Sequence, residues 1–213
     1  MNLQNYYYYF QGVLGETFCQ NVIKLGMSQQ EELALTGGQT NKTNEGKSLS
    51  DEDLKDLKKK RDSNIVWLND QWIYNEIQPY IHEANKKAGW NFDWDFSENC
   101  QFTKYKENQF YDWHCDSGEN SYSDPNDKNK YGKIRKLSVT CSLSDPKDYK
   151  GGELEFDFRN MDPDKKRNVK KCTEIISRGS IVVFPSHVWH RVKPVTKGTR
   201  YSLVIWNLGY PFK

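Results

Sequence analysis

Two hydrophobic periods divide this chain. Up to about residue 89 apolar positions recur three or four apart; beyond it they alternate in short runs broken by Gly, Pro, Asn and Asp. Residues 6–10 are an aromatic run that predicts the first strand. Thr17 then caps a predicted helix with apolar positions at Cys19, Val22, Ile23 and Leu25, ending at Gly26. Residues 35–50 turn to Gly, Thr, Asn, Lys and Ser and predict a mobile surface loop. Ser50 with Asp53 three residues on marks a helix start, and Lys58-Lys59-Lys60-Arg61 reads as a solvated helix end. After a short strand over 63–68, a longer helix over 70–87 carries Trp72, Ile73, Ile77, Tyr80, Ile81 and Ala84 on one stripe and stops at Gly89.

The second half predicts strands over 90–96, 100–105, 109–114, 137–143, 151–158, 174–176, 180–184 and 200–206. Between them lie a polar loop over 116–136, a turn over 145–149 and a charged insertion over 162–171. About eight short strands at this spacing imply a mainly β fold, a double-stranded β-helix (jelly roll, cupin-like), packed against N-terminal helices. The expected organisation is one domain over 1–213, with 1–100 as support and 101–213 as the catalytic jelly-roll core.

Composition narrows this picture. Only 36% of the 213 residues are apolar, but seven Trp and thirteen Tyr can supply buried area that aliphatic side chains do not. A net charge of +2 with mixed signs argues against a dedicated nucleic-acid binder. No apolar run approaches the ~20 residues needed to cross a bilayer, and the N-terminus lacks the pattern of a signal peptide. Five cysteines without a C-x-x-C pair predict neither a disulfide framework nor a zinc ribbon. The expected location is cytoplasmic, in a bacterium or in the host cell if the chain is viral.

The chemistry lies in His114-Cys115-Asp116, answered downstream by His190 and, ten residues later, Arg200. Side chains alternate along a strand, so His114 and Asp116 would share a face. Two imidazoles and one carboxylate form the facial triad that holds ferrous iron with three positions open. Arg200, opening a strand beside the one that carries the neighbours of His190, could clamp the far carboxylate of a dicarboxylic co-substrate. His187 stands thirteen residues before Arg200 and His82 lies on the long helix; neither has the expected spacing. Cys115 should point to the opposite strand face as a packed thiol, and Asp112 and Trp113 should form rim and wall. Arg135 could meet substrate from the base of the polar loop. Thr140 would line the pocket if its strand pairs with that of Leu154. Residues 117–134 suit a lid, the alternative being an inert insertion.

At these residues the chain resembles the iron(II)/2-oxoglutarate-dependent dioxygenases, in their prolyl 4-hydroxylase-like branch. The resemblance is strongest over 101–206 and includes 61–68 and 84–94. It implies that His114, Asp116 and His190 hold Fe(2+), and that Arg200 binds the C5 carboxylate of 2-oxoglutarate with Tyr105 and Ser202 beside it. Gly151-Gly152-Glu153-Leu154 resembles the family's G-G-E turn, and Trp206 the tryptophan at the back of the pocket. With Thr140 these complete the implied co-substrate site, and Arg135 and Trp113 are the substrate candidates. Arginine at position 200, rather than lysine, resembles the bacterial and phage subgroup. The implied reaction consumes O2, releases succinate and CO2, can draw on ascorbate, and hydroxylates a prolyl residue of a protein or peptide. The alternatives are a free amino acid or small molecule as substrate, and a non-catalytic cupin-like module holding a structural zinc.

Overall fold

Alternation along residues 137–143 decides the layering. Leu137, Val139 and Cys141 enter one apolar cluster with helical side chains, while Ser138, Thr140 and Ser142 turn to the other face of the sheet. The computed structural model describes residues 5–44, 46–118, 120–158 and 168–212. Its first elements are β1 (Tyr8–Phe10), α1 (Glu16–Met27), β2 (Glu32–Leu33), α2 (Gly37–Asn44), α3 (Asp51–Lys60), β3 (Arg61–Asp62), β4 (Asn64–Leu68) and α4 (Gln71–Lys87). Next come β5 (Phe96–Ser97), β6 (Cys100–Tyr105), β7 (Phe110–His114), β8 (Ile134–Ser142), β9 (Tyr149–Gly151), β10 (Leu154–Asp157) and β11 (Val169–Lys171). A 3-10 turn over Thr173–Ile175 leads to β12 (Ile181–Pro185), β13 (Trp189–Val192), β14 (Val195–Gly198) and β15 (Arg200–Gly209).

The strands make an eight-stranded sheet, ordered β1-β12-β8-β15-β6-β4-β2 with β5 also on β15, a five-stranded sheet, β11-β10-β13-β7-β3, and a two-stranded pair, β14-β9. All pairings within the two larger sheets are antiparallel. One apolar cluster lies between the large sheet and α1 and α4, where Cys19, Val22, Ile73, Ile77 and Ile81 meet Phe102, Leu203 and Ile205. The second cluster lies between the two sheets and includes Tyr105, Leu154, Phe156, Val182 and Phe184. Helices, sheet and sheet thus stack in that order, and the two sheets form the double-stranded β-helix.

Local rules account for most elements. Ser50 and Asp53 form a complete capping box on α3. On α4 the buried stripe is Ile73, Tyr74, Ile77, Ile81 and Ala84. Trp72 is 40% exposed instead, edge-on to Phe18, so Tyr74 takes the place expected of it. α1 begins at Glu16 behind Gly15, which puts Thr17 inside the helix rather than at its cap. The segment expected as a loop over 35–50 contains α2. Residues 90–95 are not a strand. Their aromatic alternation arises because Trp90 and Phe92 are buried from a loop held by Asn85, whose side chain accepts from the Phe92 N–H at 3.0 Å and donates to its carbonyl at 2.9 Å.

Residues 174–176 hold the end of a 3-10 turn, not a strand. The insertion expected over 162–171 lies outside the described residues up to 167, and its end forms β11. β15 pairs with β8, β6 and β5, and not with the strands flanking His190.

Gly26 is where α1 crosses β6. A Cβ there would stand 2.6 Å from Phe102 Cε1 and Cγ, closer than side chains pack, so only glycine permits this approach. Alanine would gain about 1 kcal/mol in helix propensity, but overpacking typically costs about 1–3 kcal/mol. Gly26→Ala should therefore lower stability on balance, as a reduced urea midpoint with an unchanged slope.

Candidate active site

The register of β7 against β13 sets His190 directly opposite His114, with ring centroids 4.1 Å apart. β7 ends at His114, so strand alternation does not place Asp116. Instead the N–H groups of Asp116 and Ser117 both donate to the Ser186 carbonyl, each at 2.9 Å, which folds the chain back onto the imidazoles. Ser186 is fully buried, and its hydroxyl lies 2.9 Å from that of Ser138. The Asp116 carboxylate then stands 3.8 Å from His114 Nε2 and 3.6 Å from His190 Nε2.

Each Nδ1 faces a backbone carbonyl, that of Asp112 at 2.7 Å for His114 and that of Val188 at 3.0 Å for His190. A carbonyl can only accept, so Nδ1 carries the proton and the Nε2 lone pair is left toward the carboxylate. Burial pushes the His114 pKa well below its ordinary value, and the neighbouring His190 adds to the effect. Burial alone would raise the Asp116 pKa. The two imidazoles, the Arg135 guanidinium and the Ser138 hydroxyl outweigh it, and the carboxyl is held below its usual range. A neutral His114 imidazole beside an ionised Asp116 carboxylate is the protonation pairing a divalent cation requires. Among the described residues, these three are the His, Cys, Asp and Glu side chains grouped closely enough to hold one, with ligand atoms within 4.8 Å of one another. Two nitrogens and one oxygen suit iron(II) with three positions open.

His187 is exposed and outside the group, and His82 stacks on Trp94 at 4.6 Å. Cys115 does not turn away as a packed thiol. It is half-buried, donates weakly to the Ser117 carbonyl at 3.6 Å, and lines the cleft over the triad.

Two residues beside the triad escaped the sequence reading. The Tyr111 ring stacks on His114 at 3.5 Å, and the Arg61 guanidinium lies 4.4 Å over the far side of Tyr111. Tyr111 stands three residues before His114, which alternation puts on the opposite face. A register shift between His190 and Val192, matching a three-residue step on β7 to a two-residue step on β13, brings it round. Burial pushes the Tyr111 pKa up to about 12, which keeps it a neutral phenol. Arg61 is 4% exposed and not a solvated helix end like Lys58 to Lys60. It donates to Ser63 at 3.0 Å and to the Leu35 carbonyl at 3.2 Å, while its Nη2 has no partner among the described residues.

A second pole lies at the start of β15. Arg200, 3% exposed, donates to the Ser202 hydroxyl at 3.3 Å and sits 5.6 Å from the Tyr105 ring. No carboxylate among the described residues pairs with it. A buried guanidinium without a counterion is costly, so this one is poised for an anion. Gly152 makes the room: at φ +64°, a Cβ there would stand 2.8 Å from Arg200 Cδ and 3.0 Å from Val195 Cγ2. Register puts Ser202 opposite Ser142, Val204 opposite Thr140 and Trp206 opposite Ser138. Thr140 therefore shares a face with Arg200, Ser202 and Trp206. It does so from the large sheet, not by pairing with the strand of Leu154, which belongs to the other sheet.

A cleft of about 790 Å³ reaches the triad at Asp116, and Tyr111, Arg61, Arg135 and Trp206 also line it. Arg135 lies 3.9 Å over the Trp206 ring and donates to Glu98 Oε2 through Nε at 3.1 Å and through Nη2. Tyr122 of the polar loop donates to the other oxygen of Glu98 at 2.7 Å. The loop is closed below its tip by Tyr122 N–H to Lys133 carbonyl at 3.0 Å and Gly132 N–H to Tyr122 carbonyl at 2.8 Å. The Trp206 indole N–H has no partner among the described residues. Trp113 lies under Arg191 at 4.6 Å and is not among the cleft-lining residues.

A family model described as the 2OG-Fe(II) oxygenase superfamily matches residues 100–207, a stretch that contains the triad, Tyr105 and Arg200. A PKHD-type hydroxylase of Xylella fastidiosa (strain M23) is 32% identical over 106 residues, covering 50% of this chain and 42% of its own. The chain thus spans less than half the length of such curated relatives. Among solved structures, the viral collagen prolyl hydroxylase of Paramecium Bursaria Chlorella virus-1 aligns with a TM-score of 0.62 at 18% identity, over 97% of both chains. A prolyl hydroxylase of Trichoplax adhaerens, in complex with a hypoxia inducible factor peptide fragment, aligns at 0.59 and 17% identity over 96% of this chain and 84% of its own. These two similarities speak to the fold. With half of its residues matched by the family model, this chain belongs to the 2OG-Fe(II) oxygenase superfamily.

Proposed function

We propose that the protein is a single-domain Fe(2+)- and 2-oxoglutarate-dependent hydroxylase whose target is a prolyl residue of a protein or peptide. The observation that carries the reading is the pairing of a three-ligand group with a buried arginine that has no carboxylate partner among the described residues. His114, Asp116 and His190 would hold the iron, and Arg200 with Ser202 and Tyr105 would hold the distal carboxylate of 2-oxoglutarate. Thr140 and Trp206 would line the space between. Bound together, iron and 2-oxoglutarate supply the oxidising chemistry, consuming O2 and releasing succinate and CO2.

The protein's part is positional. The Asp112 and Val188 carbonyls fix both imidazole tautomers, and Ser186 fixes the Asp116 turn. Tyr111 and Phe184 pack against the ligand rings and keep water from them. Arg135 would face the substrate from the cleft, its charge partly met by Glu98. An open cleft supports a peptide over a free amino acid: Trp67 and Leu33 on its rim are 40% and 37% exposed. Among the described residues no cysteine is in a disulfide, which fits a reducing cytoplasm. Among the described residues, no helix is long and apolar enough to cross a membrane. A structural zinc would want a fourth protein ligand and no clamp for a diacid, so the non-catalytic reading is disfavoured.

The direct test is oxygen-dependent conversion of 2-oxoglutarate to succinate with proline-containing peptides, read by mass as a gain of one oxygen atom. Absence of any such turnover with iron loaded would refute the reading. His190→Ala should weaken metal binding severely, measured by titration with Fe(2+) or Co(2+) without oxygen. Arg200→Ala should leave metal binding intact yet raise the 2-oxoglutarate requirement. Losing a charged hydrogen bond of about 1.5–3 kcal/mol corresponds to roughly 10- to 150-fold. Gly152→Val should act in the same direction by pressing on Arg200 from behind.

A further inference from the structure

A second cavity, of about 450 Å³, shares no lining residue with the cleft. One wall is the loop over 91–95, and the other is the stretch from Gly209 to Phe212. Both walls are set in place by the fold itself. Asn85 holds Phe92, and the Asp95 N–H donates to the Leu208 carbonyl at 3.0 Å. A Cβ on Gly209 would collide with the Asp93 carbonyl, so glycine is what lets the walls meet. Lys136 enters this cavity because of a bulge. β15 pairs Asn207 with Leu137 and Leu208 with Arg135, which leaves Lys136 as the extra residue of β8. Arg135 lines the cleft, whereas Lys136 lines the second cavity and is 5% exposed. Lysine is rarely buried without a counterion. Lys133, also buried, has one: its ammonium meets Asp95 at 2.7 Å. Among the described residues no carboxylate pairs with Lys136. Its Nζ lies instead over the Phe212 ring, 4.5 Å from the centroid. Burial lowers the Lys136 pKa, while Asp93 and Asp95 oppose the shift.

We infer that this cavity is a binding site for a planar aromatic monocarboxylate, its anionic end on Lys136 and its ring among Phe92, Trp94, Tyr210 and Phe212. The volume lies within the ~300–1,000 Å³ of small-ligand pockets, which likewise combine apolar walls with a few polar groups. A single ammonium without a carboxylate calls for one negative charge. Asp93, and Asp95 already paired with Lys133, disfavour a polyanion such as a diphosphate. The walls call for a flat apolar body. Phe92 is buried and meets Phe212 edge-on at 4.8 Å, whereas Tyr210 and Phe212 are 59% and 47% exposed and would gain cover from a ring between them. None of these residues belongs to the triad or to the Arg200 pole, so the site stands apart from the proposed reaction.

The probe is 2-naphthoate, titrated into the full chain by calorimetry, with 2-naphthylmethanol as its uncharged counterpart. Wild type should bind naphthoate saturably with a Kd below about 1 mM. The alcohol should bind about tenfold more weakly, the loss expected for a charge-assisted hydrogen bond. Lys136→Met should weaken naphthoate by a similar factor and leave the alcohol unaffected, whereas Lys136→Arg should keep naphthoate. Phe212→Ala should weaken both ligands. Arg200 is also buried without a carboxylate among the described residues, so Arg200→Ala separates the two poles: naphthoate affinity should not change in it. Should Lys136→Met fail to fold, the preference for naphthoate over the alcohol, measured in Arg200→Ala, still decides. Equal affinity for the two probes, or no saturation at several millimolar, would overturn the site. Naphthoate binding that is lost in Arg200→Ala and kept in Lys136→Met would overturn it too.

Discussion

The pairing of β7 with β13 is the constraint on which the site depends. These short strands come from segments more than seventy residues apart, and their register alone brings His114 and His190 together. A slip of one residue would turn one imidazole to the other face of the sheet. Asp116 is then supplied by a turn whose two amides share the Ser186 carbonyl, next to the end of β12. The three side chains thus draw on two sheets, and the jelly roll brings those sheets face to face.

Electrostatics divides the interior into two poles. At one, burial holds the His114 imidazole well below its ordinary pKa beside an Asp116 carboxyl held below its usual range. At the other, Arg200 is buried with a hydroxyl for company and, among the described residues, no carboxylate. Left empty, the second pole is destabilising, since a buried charge without a partner costs several kcal/mol. An anionic ligand that reaches it should therefore stabilise the fold as well as complete the site.

Much of this was legible in the sequence because the chemistry is carried by spacings. His114 and Asp116, His190 and Arg200 are set by short local distances along the chain, and the paired glycines announce a turn. Tyr111 was not legible, because a bulge on β7 reverses the face that alternation assigns to it. Arg61 was hidden in a run of cations: Lys58, Lys59 and Lys60 are solvated as such runs usually are, and the fourth member enters β3 and is buried. Trp90 and Phe92 misled in the other direction. Apolar alternation reports burial, and a loop pinned by Asn85 buries alternate residues as well as a strand does. Thr140 faces the interior through a pairing with β15 that no local pattern encodes.

The two oxygens of Glu98 tie the cleft's floor to its wall. One receives Arg135, which lies flat on the Trp206 indole; the other receives Tyr122 from the loop. Shifting the loop root strips a donor from a buried carboxylate, so root and floor form one mechanical unit. Beyond Tyr122 the crossed backbone bonds to Lys133 and from Gly132 close the tip on itself. Because loop-closure entropy rises only slowly with length, the tip between those residues is the place where this fold can accept insertions, deletions or a grafted epitope without His114, Asp116 and His190 feeling the change.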